Sequence, residues 1–149
     1  MGTTSTSITP KELIVRRESL INDIKQDWKR INLYNDADKN FKHSFDVKAI
    51  YAQIGKKAIE LVKIKVALQA INMGLKSMKE LSNSNVYTSI FMLSQLKEQK
   101  VKLNLIPTRT DNAVITKKQI SEENRKLDAA IAKIEMELEK YNSETEFEL

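Results

Sequence analysis

Cysteine is absent from this sequence, which removes disulfides, thiolate nucleophiles and thiolate zinc sites together. Glycine and proline are scarce, at three and two residues in a chain of 149. Folds built from strands turn their corners with many more of both, so long helices are expected instead. No apolar run approaches the ~20 residues that span a bilayer, so no membrane span is expected. The opening "MGTTSTSITP" has neither the basic nor the apolar region of a secretory signal. The cytoplasm, or a particle assembled there, is therefore the expected location. "MGTTST" matches the pattern for an N-terminal myristoyl group, but so short a motif matches often, and a flexible tail over residues 1–9 is the expectation.

What is present is a chain with 41% hydrophobic and 30% charged residues, too apolar for disorder and too charged for a membrane protein. One helical domain over residues 10–142 is expected from this length. Thr9-Pro10-Lys11-Glu12 reads as a capping box with proline in the first turn, and Leu13, Leu20, Ile24, Trp28 and Ile31 form one apolar stripe on a first helix. "YNDADKNFKHS" reads as a loop, after which Ser44 is placed to cap a second helix. Its apolar positions Val47, Ile50, Ile54, Ala58, Leu61, Ile64, Leu68 and Ile71 step by three and four, and Ile59, Val62, Val66 and Met73 mark a neighbouring face. Two apolar faces place this helix between others, with Gly55 allowing a close approach and Gly74 ending it; "LKSMKEL" continues the helix or makes a short arm.

"SNSN" marks a turn, Thr88 is the expected cap of a third helix carrying Ile90, Leu93, Leu96 and Leu103, and Pro107 stops it. "IPTRTDNAVITKKQ" reads as an extended connection or a small hairpin. Thr116 and Gln119 then form a second capping box, and Ile120, Leu127, Ile131, Ile134, Leu138 and Tyr141 repeat in the a/d manner of a coiled coil, with Asn124 at the one polar seam position. The expected fold is an all-α, elongated antiparallel bundle of three to four long helices with coiled-coil character.

In "RRESLINDI", "ELVKIKVALQAIN", "VYTSIF", "RKLDAAI" and "NSETEFEL" the chain resembles the septicolysin-like family of small bacterial proteins. That resemblance implies a long-helical fold and, through the family's name alone, a membrane-lytic activity. It carries over no site residue.

Catalytic and metal chemistry find little to stand on. His43 is the only histidine, with Asp46 as its one nearby acid, and it reads as a solvent-exposed loop residue. "DADKN" imitates the opening of a calcium loop, but Phe41 stands where the loop needs glycine and Val47 where it needs glutamate. Glu122, Glu123 and Asp128 sit near a helix start, where carboxylates suit the dipole. Met73, Met78, Met92 and Met136 read as gap-fillers on apolar faces. No enzymatic activity and no cofactor are expected.

Charge is the remaining signal. Residues 135–149 hold six glutamates against Lys140, a net −5, so the preceding 134 residues carry +10 of the overall +5. Lys56, Lys57, Lys63, Lys65, Lys97, Lys100, Lys102, Lys117 and Lys118 form a candidate basic face. Lysine is a point charge, however, and aromatic residues are not interleaved with these positions as base stacking requires. The leading expectation is a non-enzymatic structural or interaction protein that self-associates or docks in a larger bacterial or bacteriophage assembly; the alternative is a nucleic-acid-associated protein using the lysines. The acidic tail, residues 143–149, is a candidate docking segment in which Phe147 and Leu149 enter an apolar groove while Glu144, Glu146 and Glu148 face lysines of a neighbouring subunit.

Overall fold

The structure, a computed structural model, describes residues 7–37, 46–82 and 85–149. His43 and Ser44 lie outside them. Four long helices follow one another: α1 (Pro10–Tyr34), α2 (Val47–Asn72), α3 (Val86–Leu103) and α4 (Lys117–Glu144). No strand occurs among the described residues, so the connection before α4 is a loop and not a hairpin. At 26 residues, α2 is ~39 Å long.

Each helix begins where a side-chain oxygen replaces a missing carbonyl. Thr9 accepts the Glu12 amide at 3.1 Å. Thr116 and Gln119 close a reciprocal capping box at the start of α4. Asp46 caps α2 through the Ala49 amide. The cap of α3 is Asn85 and not Thr88: Asn85 is extended, and its Oδ1 accepts both the amide and the hydroxyl of Thr88. Asparagine outranks threonine as a cap, and three residues of extra helix result. At the other end of α2, Gly74 takes φ +83°, and the Leu75 and Gly74 amides return to the Ala70 and Ile71 carbonyls. This is a Schellman stop, which glycine enters without a Cβ penalty. "LKSMKEL" is accordingly an arm with one short turn at Met78–Glu80, not more helix.

Neighbours in sequence pack as neighbours in space: α1 on α2, α2 on α3, and α3 on α4. Two cores result. One gathers the C-terminal end of α1, the start of α2, the end of α3 and the start of α4 around Trp28, Ile31, Val47, Ile54, Leu103 and Leu127. Ile31 and Leu103 are wholly buried there, each contributing about 1.5–3 kcal/mol by leaving water. The second core holds α1 and α2 together through Leu13, Leu20, Leu61 and Ile64. Helical arithmetic turns Ala58, Val62 and Val66 of α2 toward α3, and all three are buried. The second α2 face is thus shorter than its spacing suggests, because Ile59 and Met73 at its margins remain about half exposed.

The four-helix end is tied by Asn35, the residue that follows α1. Its Nδ2 donates to the Pro107 and Ile115 carbonyls at 2.8 and 3.1 Å, and its Oδ1 accepts the Ile115 amide at 2.7 Å. Its own amide returns to Ile31, and its carbonyl accepts the Val114 amide. A fully buried side chain therefore satisfies a loop that has no ladder of its own. The next residue, Asp36, accepts the Arg109 amide at 2.7 Å, the Thr110 amide at 3.1 Å and the Thr110 hydroxyl. The Thr110 hydroxyl bond is the main reason the Asp36 carboxyl sits below the ordinary aspartate range.

Gly55 does not serve a close helix approach. A Cβ built there meets nothing within 4 Å, so the glycine only adds backbone freedom to the unfolded chain. Gly55→Ala should therefore raise unfolding stability by about 0.5–1 kcal/mol in urea denaturation. Asn35→Ala should lower it by about 2–4 kcal/mol, because three buried backbone groups lose their partner at once. Asn35→Asp, which keeps the acceptor but turns both donated bonds into oxygen–oxygen contacts, should cost more; wild-type stability in both Asn35 variants would rule out the clamp.

Candidate interaction surface

The nine candidate lysines do not share one face. Lys57 turns inward and donates to buried Asp27 at 2.6 Å, beside Arg30, which reaches the other carboxylate oxygen at 3.0 Å. Its charge is spent joining α2 to α1. Lys100 is likewise engaged, by Asp128 across the α3–α4 seam. Lys56 and Lys63, seven residues apart, share a line of α2, whereas Lys65 is set about 160° from Lys63 by helical arithmetic, using 100° per residue. Lys97 and Lys102 on α3 also diverge, by about 140° on the same arithmetic. Lys117 and Lys118 sit at the start of α4, where with Arg109, Thr110 and Asp111 they border an open depression of about 370 Å³. The cap amide of Gln119 is already taken there by Thr116.

Polar groups bridging the helices favour one register. Asn124, the polar seam position, exchanges two hydrogen bonds of 2.9 Å with Asn104 at the end of α3. Asn104 also donates to the Lys100 carbonyl. This pair favours one alignment of α3 and α4, in the way that a polar a-position residue does in coiled coils. Tyr51 connects all four helices. Its ring meets Trp28 of α1 edge-on at 6.1 Å, its hydroxyl donates to Glu123 of α4 at 3.2 Å, and Gln99 of α3 donates to that hydroxyl at 3.3 Å. Burial, with the nearby Glu123 carboxylate adding to it, pushes the Tyr51 hydroxyl up to about 12.

Among the described residues, no group of three or more acidic or histidine side chains is placed to hold a metal ion, and no helix is long and apolar enough to cross a membrane. Large apolar side chains are exposed at both ends of the bundle, Leu33, Val101 and Leu105 near Asn35 among them, but toward the end away from Asn35 they continue lines of the core. Ile14, Ile21 and Trp28 lie on one line of α1 at seven-residue spacing; Trp28 is buried, but Ile21 and Ile14 are 41% and 42% exposed. On α4 the line Leu127, Ile134, Tyr141 behaves alike: Leu127 is buried, Ile134 half-buried, and Tyr141 exposed. Leu127 is in fact the only buried residue of this 28-residue helix. The a/d repeat is present, but α3 covers only one flank of it.

The methionines follow the same pattern. Met73, Met78 and Met136 are exposed, not gap-fillers, and Met136 lies on the back of α4 opposite the seam. Ile90 of α3 is also turned out. The tail begins later than the 142/143 boundary, since α4 continues through Glu144, which is therefore helical. Thr145 leaves the helix in an extended conformation, and Phe147 and Leu149 are exposed. The α1 line escaped the sequence reading because Leu13 and Leu20, one residue earlier, already complete the buried stripe. The seven-residue interval of Ile14, Ile21 and Trp28 was its signal. The role of Tyr51 had no such signal, as its partners lie 48 and 72 residues away.

No protein-family model, curated protein or solved structure matches this chain.

The shift at Tyr51 has a defined sign. In the folded protein its hydroxyl keeps its proton to about 12, while in the unfolded chain it loses it near the ordinary value of 10.0, so folding is favoured fully below pH 10 and this contribution disappears as the pH rises through 12. Ultraviolet titration should show one tyrosine ionising about two units late. Tyr51→Phe should remove that late step and flatten the alkaline decline in stability; an unchanged titration curve in the variant would contradict the assignment.

Proposed function

We propose that this protein is a non-enzymatic structural or interaction component that self-associates within a larger assembly, through the end of the bundle remote from Asn35. The observation that carries this reading is the continuation of core lines into solvent: Ile14 and Ile21 extend the line of buried Trp28, and Ile134 and Tyr141 extend the line of buried Leu127. A helix face that is core at one end and bare at the other is half of an interface, and a second copy supplies the missing flank. Burial of such lines is the term that drives most protein association, and the lysines and glutamates around them limit which partner fits.

A nucleic-acid-associated role is the second reading, and its specific support is the grouping of Arg109, Lys117 and Lys118 at the start of α4. It receives less support than self-association. Two of the nine lysines are committed to ion pairs inside the molecule, and the remainder point in several directions. The cytoplasm, or a particle assembled there, is the setting that suits either reading.

Light scattering coupled to size-exclusion chromatography tests self-association. The wild type should run as an oligomer at concentrations of tens of micromolar, in the usual range for moderate interfaces. Ile21→Glu with Tyr141→Glu should give a monomer of unchanged helix content, since both positions are already half exposed in the single chain. A wild type that stays monomeric at high concentration overturns the proposal.

A further inference from the structure

We propose that the segment after α4 of one copy docks in a cleft at the open end of a second copy, the two copies exchanging tails. This inference rests on the self-association reading and names its contact. The cleft, about 530 Å³, lies between the start of α1, the end of α2 and the arm that follows Gly74. Its size falls within the roughly 300–1,000 Å³ of sites that take compact side chains or ligands. Ile8, Leu13, Ile71 and Met78 line it, with Lys76 and Lys79 at its border. Glu80, the acid nearest these lysines in sequence, accepts the Lys76 backbone amide at 2.8 Å. Two lysines against this one carboxylate leave the border net positive, and the wall is apolar.

The tail has the complementary chemistry. Once extended at Thr145, alternate side chains point to opposite sides, so Thr145, Phe147 and Leu149 form one edge and Glu146 and Glu148 the other. Phe147 is 85% exposed and Leu149 fully so. Antiparallel packing of successive helices brings the end of α4 to the same end of the bundle as the cleft, where Glu137, Leu138 and Tyr141 line a hollow shared with Asn85 and Val86. Yet in the single chain the tail projects with both apolar side chains in solvent while the cleft stands open. The occupant is another copy's tail, whose apolar edge and glutamates match the cleft's apolar wall and lysines. Phe147 and Leu149 fill the apolar wall, and Glu146 and Glu148 meet Lys76 and Lys79, which sets direction and register more than affinity.

Two variants and their mixture test this in sedimentation equilibrium. Phe147→Ser with Leu149→Ser removes the tail's apolar edge, and Lys76→Glu with Lys79→Glu reverses the cleft's charge; all four positions are exposed in the single chain, and circular dichroism confirms that folding is kept. Each variant alone should self-associate about tenfold more weakly than wild type, or less, as for loss of a central contact. Mixed in equal amounts, they should recover an intermediate affinity, because one copy still offers a sound cleft and the other a sound tail. Raised salt should weaken that recovered contact. If wild type associates and both variants associate equally well, or if the mixture is no tighter than either variant, tail exchange is wrong while self-association through Ile21 and Tyr141 stands. If wild type does not associate at all, both fall together.

Discussion

The fold depends on one buried amide. Asn35 ends α1 and in the same place holds the loop between α3 and α4, so a residue early in the chain decides where the last helix begins. Without a strand ladder, that loop has no internal way to satisfy its backbone, and Asn35 with Asp36 supplies the missing partners. The cost of burying an amide is offset because every donor and acceptor on it is used. The loop is thereby tied to the end of α1, and Ile106 and Ile115 on either side of it enter the core.

From that tied end the bundle opens. Four helices meet around Trp28 and Leu127, but toward the other end the cores divide: α1 and α2 keep Leu13, Leu20, Leu61 and Ile64 between them, while α4 keeps only α3. Consecutive packing explains this. A short chain that folds by pairing neighbours covers its middle helices on two sides and its outer helices on one. The outer helices are α1 and α4, and they carry the lines of apolar residues that run into water. Bare apolar surface on these helices is thus a consequence of topology, not of any separate motif.

Electrostatics is divided in a similar way. Most of the excess positive charge of the first 134 residues falls after residue 50. In three dimensions part of it is structural: Lys57 compensates buried Asp27 together with Arg30, and Lys100 crosses to Asp128. Removing either partner of Asp27 would leave its buried carboxylate less compensated, so Lys57 is held by the fold itself, whereas the Lys100–Asp128 pair is exposed. Asn104 with Asn124, and Tyr51 with Gln99 and Glu123, add direction, the first pair without any charge. Such polar contacts choose one register among the several that interchangeable Leu and Ile side chains would accept.

Much of this was legible in the residues. Scarce glycine and proline excluded strands, the Thr9 and Thr116 caps marked two helix starts, Gly74 marked a stop, and the stripes through Trp28, Ile54 and Leu127 named the core. All of these are local, set by contacts within a turn or two of helix. The sequence also placed an apolar repeat on α4 but not how much of it would be covered, because coverage belongs to the helix beside it. It showed nine candidate lysines for a basic face but not that two of them pair with acids 28 and 30 residues away. The cleft below Gly74 and the grasp of Asn35 on a loop 72 and 80 residues distant were invisible for the same reason. Periodicity reports which side of an element faces inward; only the packed chain decides what, if anything, lies opposite.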